Sequence, residues 1–220
     1  MPGLLIACKQ KNHKLKLQLK QEILSKKPDI NKKIIQAFFK IDRKKLLPHV
    51  TIDELYKNKT HFLINYQVSS QPLVNVVIAE ELKIKKGTTI LEIGAGSGIQ
   101  AALFEHLGAK VYTIELSRVL TKQTSKALKE LGYKNITIIS GDGFLGWPDH
   151  KKIFDRIVLT CSYHKIPSQL IPQLKEGGYL LLPLGKRNSN QKLVRYKKIN
   201  GKMILDKIIM DVAFVPLLKH

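Results

Sequence analysis

A chain of 220 residues with 44% hydrophobic and 25% charged residues can bury a core without disulfides or metals, and its composition excludes disorder of the whole chain. No run of 18 apolar residues occurs, which excludes a membrane-spanning helix. The formal net charge is +21, with 14 basic against 5 acidic residues over 1–57, 15 against 10 over 58–184, and 9 against 2 over 185–220.

In chain order, residues 9–27 are basic. Lys14–Lys20 alternates as a strand would, but Leu15, Leu19 and Ile23 share one helical face and predict a helix running to Ser25. Ile30, Ile34, Phe38 and Ile41 predict a second helix with Asp29 as its N-cap, ended by Pro48. A short helix is expected over Ile52–Tyr56, a loop over 58–70, and a helix from Pro72 to Leu82, since proline suits a first helical turn. From Lys86 short apolar runs alternate with helical segments. Strands are predicted over Thr88–Ile93, Lys110–Ile114, Ile136–Ser140, Ile153–Thr160 and Tyr179–Leu184, with helices over Ile99–Leu107, Arg118–Leu131 and Ser168–Leu174. This alternation implies an α/β fold, a mostly parallel sheet with helices on both faces. Lys192–Ile199 and Met203–Val212 flank Asn200-Gly201, a hairpin signal, so the C-terminal edge of the sheet is expected to be antiparallel. Residues 1–85 then form an N-terminal helical region with a loop before Pro72, and 86–220 the alternating strand–helix region, within one compact domain.

The basic surface suits nucleic acid, anionic membrane or acidic substrates. The lysines are scattered with few aromatics among them, which favours a solvated surface over a nucleic-acid site. Cys8 and Cys161 are far apart and lack histidines at metal spacing, so neither a disulfide framework nor a zinc site is expected, and the chain reads as cytoplasmic.

Chemistry concentrates in Leu91-Glu92-Ile93-Gly94-Ala95-Gly96-Ser97-Gly98, between a predicted strand and a predicted helix. Glycines let the backbone turn sharply and let a ligand approach. Glu115 ends the next strand 21 residues after Gly94, the spacing at which an acid binds ribose hydroxyls. Asp142, in Gly141-Asp142-Gly143 after the third strand, has a turn aspartate as its plain reading, but its place at a strand's C-terminal end favours contact with the ligand.

The spacing E-x-G-x-G-x-G resembles the first motif of S-adenosylmethionine-dependent methyltransferases. Gly141–Pro148 around Trp147 is more specific and resembles the protein-L-isoaspartate (D-aspartate) O-methyltransferase family. So do Ser70-Gln71-Pro72, Ile166-Pro167, Gln173–Gly178, Leu182–Gly185, Phe214-Val215-Pro216-Leu217 and the early stretch Ile34–Arg43. The resemblance runs from about residue 15 to the end. It implies a Rossmann-like seven-stranded methyltransferase sheet with a modified C-terminal strand order and added N-terminal helices. It implies methylation of the side-chain carboxylate of L-isoaspartyl or D-aspartyl residues, which starts repair of damaged proteins through a succinimide. It places Val68, Ser69, Ser70, Glu92, Gly94, Gly96, Gly98, Glu115, Asp142 and Gly143 against S-adenosyl-L-methionine, and Ser70 at the catalytic centre. Ser70 reads as an orienting hydroxyl, or else as a helix N-cap. The expected partners are isoaspartyl-containing proteins and peptides, with no specific nucleic acid, no membrane and a monomeric chain.

The chain departs from the family pattern in its acceptor half. Ile64 and Tyr66 replace two glycines, Val68-Ser69 replaces Thr-Ile, Thr160-Cys161-Ser162 replaces Thr-Ala-Ala, and Ala213 replaces an arginine. A different acceptor, a peptide aspartate or RNA, is therefore a second reading, and a non-catalytic cofactor-binding protein a third. Trp147 reads as a packing residue, Cys161 as a small filler at a strand end and His164 as a solvated loop residue.

Overall fold

The computed structural model describes residues 2–64, 67–186 and 190–218, with the side chains of residues 2–9 outside the description. The sequence readings of Cys8 and Tyr66 lie outside the described residues. The elements are α1 (Pro2–Lys26), α2 (Lys32–Lys40), α3 (Arg43–Leu46), α4 (Ile52–Leu55), α5 (Pro72–Glu81), β1 (Thr89–Ile93), α6 (Ile99–His106), β2 (Lys110–Glu115), α7 (Arg118–Glu130), β3 (Ile136–Ser140), β4 (Phe154–Leu159), β5 (Leu174–Leu184), β6 (Gln191–Ile199) and β7 (Lys202–Val212). No helix among the described residues is long and apolar enough to cross a membrane.

Apolar side chains alternate across the strands because successive Cβ atoms point to opposite faces. Ile90, Val111, Val158, Leu181 and Leu193 meet α2, α5 and α6 through Phe38, Val76, Ile78 and Phe104. Leu91, Tyr112, Ile157, Leu180 and Leu182 meet Trp147 and Leu170 on the other face. Leu19, Ile23, Leu47 and Leu55 belong to the first cluster, so the N-terminal helices and the sheet share one core. The strand order is β3-β2-β1-β4-β5-β6-β7. The first five strands are mutually parallel, and β6 and β7 add antiparallel. Chain order reverses between β1 and β4, and a crevice opens beyond the carboxyl ends of strands at such a switch point.

Three local expectations change. The N-cap of α2 is Asn31, whose side chain accepts from Lys33 N at 2.9 Å, because Pro28-Asp29 forms a turn two residues earlier. The helix expected over Ser168–Leu174 is a 3-10 turn over Ser168–Leu170. Pro172 lacks an N–H and crowds the carbonyl four residues back, which stops a helix there, and Leu174 begins β5. The second face of the sheet thus carries 3-10 turns, this one and Gly143–Leu145, where the first carries α-helices. Finally, the loop expected over 58–70 holds an antiparallel bridge between Phe62 and Val68. Asn200 (φ 51°) and Gly201 (φ 74°) both have positive φ, as a two-residue hairpin turn requires.

Candidate active site

The glycine turn leaves β1 at the switch point. Gly96 has φ +51°, donates its N–H to Glu115 Oε2 at 3.0 Å and accepts from Thr124 Oγ1 at 2.6 Å. Gly143 is required for space instead, since a Cβ there would lie 2.3 Å from Ile93 Cγ2. These two glycines, Gly94 and Glu115 line a cavity of about 310 Å³. Its far wall is the chain end Val215–Leu218, and its roof is Leu63, Gln67 and Val68 from the loop before α5.

Glu115 is 3% exposed. Its second oxygen accepts from Ser117 N at 3.0 Å and from Gln67 Nε2 at 3.3 Å. Backbone N–H groups therefore aim this carboxylate at the cavity. Glu92 is fully buried, and neither of its oxygens has a hydrogen-bond partner among the described residues. Burial pushes its carboxyl up to about 8; the nearby Thr113 hydroxyl works against the shift and the Glu115 charge adds to it. A small space of about 30 Å³ connects Glu92 with Gly94, Gly96, Ser69 and Ser70.

A second, larger cavity of about 570 Å³ is lined by Thr60, Val68–Gln71, Val74, Thr160, Met210 and the segment Asp211–Val215. Val68, Thr160 and Val215 belong to both larger cavities, so the two meet there. Thr160 donates to Gly94 O at 2.6 Å and Ile93 O at 3.0 Å, which fixes the end of β4 against the end of β1.

The structure brings Val68, Ser69, Ser70, Glu92, Gly94, Gly96, Glu115 and Gly143 around this junction. Ser70 is half-buried and is not a helix cap, because Gln71 holds that position. Ser69 is more buried and is tied to His61 through both its hydroxyl (3.1 Å) and its N–H (2.8 Å); both serines line the second cavity, and Ser70 is the more exposed of the two. Two predicted residues stand apart from the linings. Gly98 is the left-handed N-cap of α6, where a Cβ would meet Thr124 at 2.7 Å. Asp142 caps the 3-10 turn at Gly143 by accepting from Phe144 N at 2.8 Å, as a turn aspartate does.

Thr160, Gln67 and the wall Val215–Leu218 were not predicted as site residues. Their only sequence signal was membership of motifs, because nothing in local periodicity shows which distant segments fold against a cavity. Trp147 packs edge-to-face on Tyr112 at 5.1 Å, and Gln173 holds its backbone on both sides. Cys161 lines the first cavity, and burial pushes its thiol up, which makes it inert. His164 stacks on Tyr163 outside both cavities. No group of three metal-ligating side chains occurs among the described residues.

A family model for Protein-L-isoaspartate(D-aspartate) O-methyltransferase matches residues 10–220. The protein-L-isoaspartate O-methyltransferase of Gloeobacter violaceus is 36% identical over 187 residues, 85% of this chain and 90% of that one. The Dictyoglomus turgidum enzyme of the same name is 36% identical over 205 residues, 93% and 92% of the two chains. Among solved structures, a protein-L-isoaspartate O-methyltransferase superposes with TM-score 0.80 at 26% identity, over 93% of this chain and 65% of that one. A Plasmodium falciparum structure with bound S-adenosyl-L-homocysteine superposes with TM-score 0.78 at 21% identity, over 92% and 98%, and shares the fold.

Proposed function

We infer the residue roles below from one premise: the chain belongs to the protein-L-isoaspartate(D-aspartate) O-methyltransferase family. It is a methyltransferase that uses S-adenosylmethionine to methylate isoaspartyl carboxylates. The observation that carries the assignment of roles is the meeting of two cavities at Thr160 and Val68, with Glu115 on one side and Ser70 on the other.

The first cavity suits the cofactor. Glu115 is aimed to accept from ribose hydroxyls, and the orphaned Glu92 carboxyl, protonated near neutral pH without ligand, becomes a counter-charge by giving up its proton when a cationic group binds beside it. When bound, S-adenosylmethionine supplies an activated methyl group on a sulfonium. The chain has little further chemistry to perform. An isoaspartyl carboxylate with a pKa of about 3.9 is already ionised at neutral pH, so no general base is needed. Ser70 donates a hydrogen bond that orients this carboxylate at the junction. Positioning of this kind supplies roughly 7–11 kcal/mol of a barrier. Val215, Pro216 and Leu217 form an apolar wall that excludes water as opposite charges neutralise each other.

Among the described residues the acceptor cavity has Asp211 as its one charged lining residue, and Asp211 pairs with Lys192 at 2.8 Å. Neutral hydroxyls and backbone therefore hold the acceptor, which supports isoaspartyl peptides as substrates, bound more weakly than an arginine there would bind them. The chain acts as a cytoplasmic monomer without a specific nucleic-acid partner. The free edge strand β7 supports the monomer: it pairs with β6 through two register shifts, and Asp206 and Lys207 interrupt its exposed Leu205 and Ile208.

Ester formation from labelled S-adenosylmethionine on an isoaspartyl peptide, its aspartyl twin and bulk RNA tests this reading. Ester on the isoaspartyl peptide, far less on the twin and none on RNA is expected. Equal rates on the two peptides, or methyl transfer to RNA, would reject it.

A further inference from the structure

The chain end from Ala213 to Leu218 walls both cavities, yet it belongs to no strand or helix. It is held from one side by Ser162, just past β4. Ser162 N donates to Val215 O at 2.8 Å, and Leu217 N donates to Ser162 O at 2.8 Å. It is held from the other side by Gln191, the first residue of β6, which is 3% exposed. The Gln191 amide uses both ends. Its Oε1 accepts from Phe214 N at 2.8 Å, and its Nε2 donates to Phe214 O at 3.1 Å and Ser162 Oγ at 3.1 Å. A weaker contact reaches Lys186 O at 3.4 Å. Every partner is an uncharged backbone group or hydroxyl.

We propose that Gln191, through Ser162, is a positioning residue for methyl transfer: it locks the chain end as the common wall of the cofactor and acceptor cavities. The inference rests on the functional reading above and adds a residue that contacts neither ligand. A carboxamide is required because the node needs one acceptor and one donor side by side. A leucine of similar size supplies neither, and a buried polar group left unpaired is costly. An ionised carboxylate can accept from Phe214 N but repels Phe214 O, whereas a protonated carboxyl restores the donor.

The experiment compares wild type, Gln191→Leu, Gln191→Glu and Ser162→Ala, each referred to wild type at the same pH. S-adenosylhomocysteine affinity is read by calorimetry well below each melting temperature. Gln191→Leu is expected to weaken binding by roughly 10–100-fold, and Ser162→Ala by roughly 3–10-fold because its hydroxyl accepts from Gln191 Nε2 at 3.1 Å and makes only longer contacts to Phe214 O and Val215 O. Gln191→Glu should bind weakly at pH 8 and close to wild type at pH 5.5. A purely stabilising role lowers the melting temperature but leaves affinity and this pH rescue unmoved. Should Gln191→Leu fail to fold, Ser162→Ala and Gln191→Glu at the two pH values decide. Limited proteolysis without ligand reads the lock independently: cleavage within residues 213–218 should quicken in Gln191→Leu or, if that variant does not fold, in Ser162→Ala. Failure of wild type to bind S-adenosylhomocysteine would count against the functional reading, with proteolysis still judging the lock. Wild-type affinity in the folded variants, or unchanged proteolysis, would overturn the proposal.

Discussion

The cofactor side and the acceptor side of this molecule are built by different means. On the cofactor side, β1, the glycine turn, α6 and β2 follow one another within 27 residues, and Gly96 and Glu115 bond directly. The acceptor side is assembled from three distant pieces: the loop before α5, the end of β4 and the chain end. Side-chain to backbone bonds from Ser69, Ser162 and Gln191 hold it. The floor of the cofactor cavity is thus one contiguous supersecondary unit, closed by the same loop and chain end that the acceptor side uses. The acceptor side, made of separate pieces, can change a wall, such as Ala213, without disturbing the cofactor.

The largest expected effect tests the contiguous side. Gly96→Val should lower S-adenosylhomocysteine affinity by more than about 100-fold, since a β-branched residue is strained at φ +51° and its side chain faces Leu63 and the cavity. Calorimetry on protein with an unchanged far-ultraviolet spectrum checks this. Glu115→Ala follows. It should weaken the same ligand roughly 10–150-fold by loss of charged hydrogen bonds and also cost about 1–3 kcal/mol of stability, because Gly96 N and Ser117 N lose their acceptor. An unchanged melting temperature would show that the two N–H groups find other partners.

Glu92 gives a pH signature. Its folded-state pKa of about 8 lies above the ordinary value of 4.5, so the folded chain holds a proton that the unfolded chain has lost between those values. Stability without ligand is therefore fullest below 4.5 and falls by about 1.4 kcal/mol per pH unit within that window. Glu92→Gln should flatten this component, visible as a smaller change in denaturation midpoint between pH 5.5 and 7.5. A parallel profile in the variant would remove Glu92 as the cause. Smaller still is Ser70→Ala on the acceptor side. It should lower kcat about tenfold and leave S-adenosylhomocysteine affinity within about twofold, since an orienting bond acts at the reacting geometry.

Legibility in the sequence follows the same division. Strands β1 to β4 have the expected pattern because short apolar runs and helical apolar spacing are local signals, and Glu115 was readable because strand length fixes its distance from the glycines. The Asn200-Gly201 turn was readable from backbone chemistry alone. Thr160 was not, because its role comes from the adjacency of β4 to β1, a property of strand order. Gln191 was hidden for the same reason: nothing near it in sequence announces Phe214 or Ser162. The 3-10 turn at Ser168 was misjudged because apolar spacing outweighed Pro172, whose missing N–H decides the local outcome.

The central claim is that the cofactor side is complete and that, among the described residues, no cation lines the acceptor cavity. Ala213→Arg tests it most directly, because Ala213 is exposed and lines the acceptor cavity alone. A guanidinium there gains a charge-assisted bond to an acceptor carboxylate or carbonyl. The account predicts that KM for an isoaspartyl peptide falls about tenfold while S-adenosylmethionine affinity stays within about twofold. An unchanged peptide KM, or a shift in cofactor affinity of the same size, would contradict it.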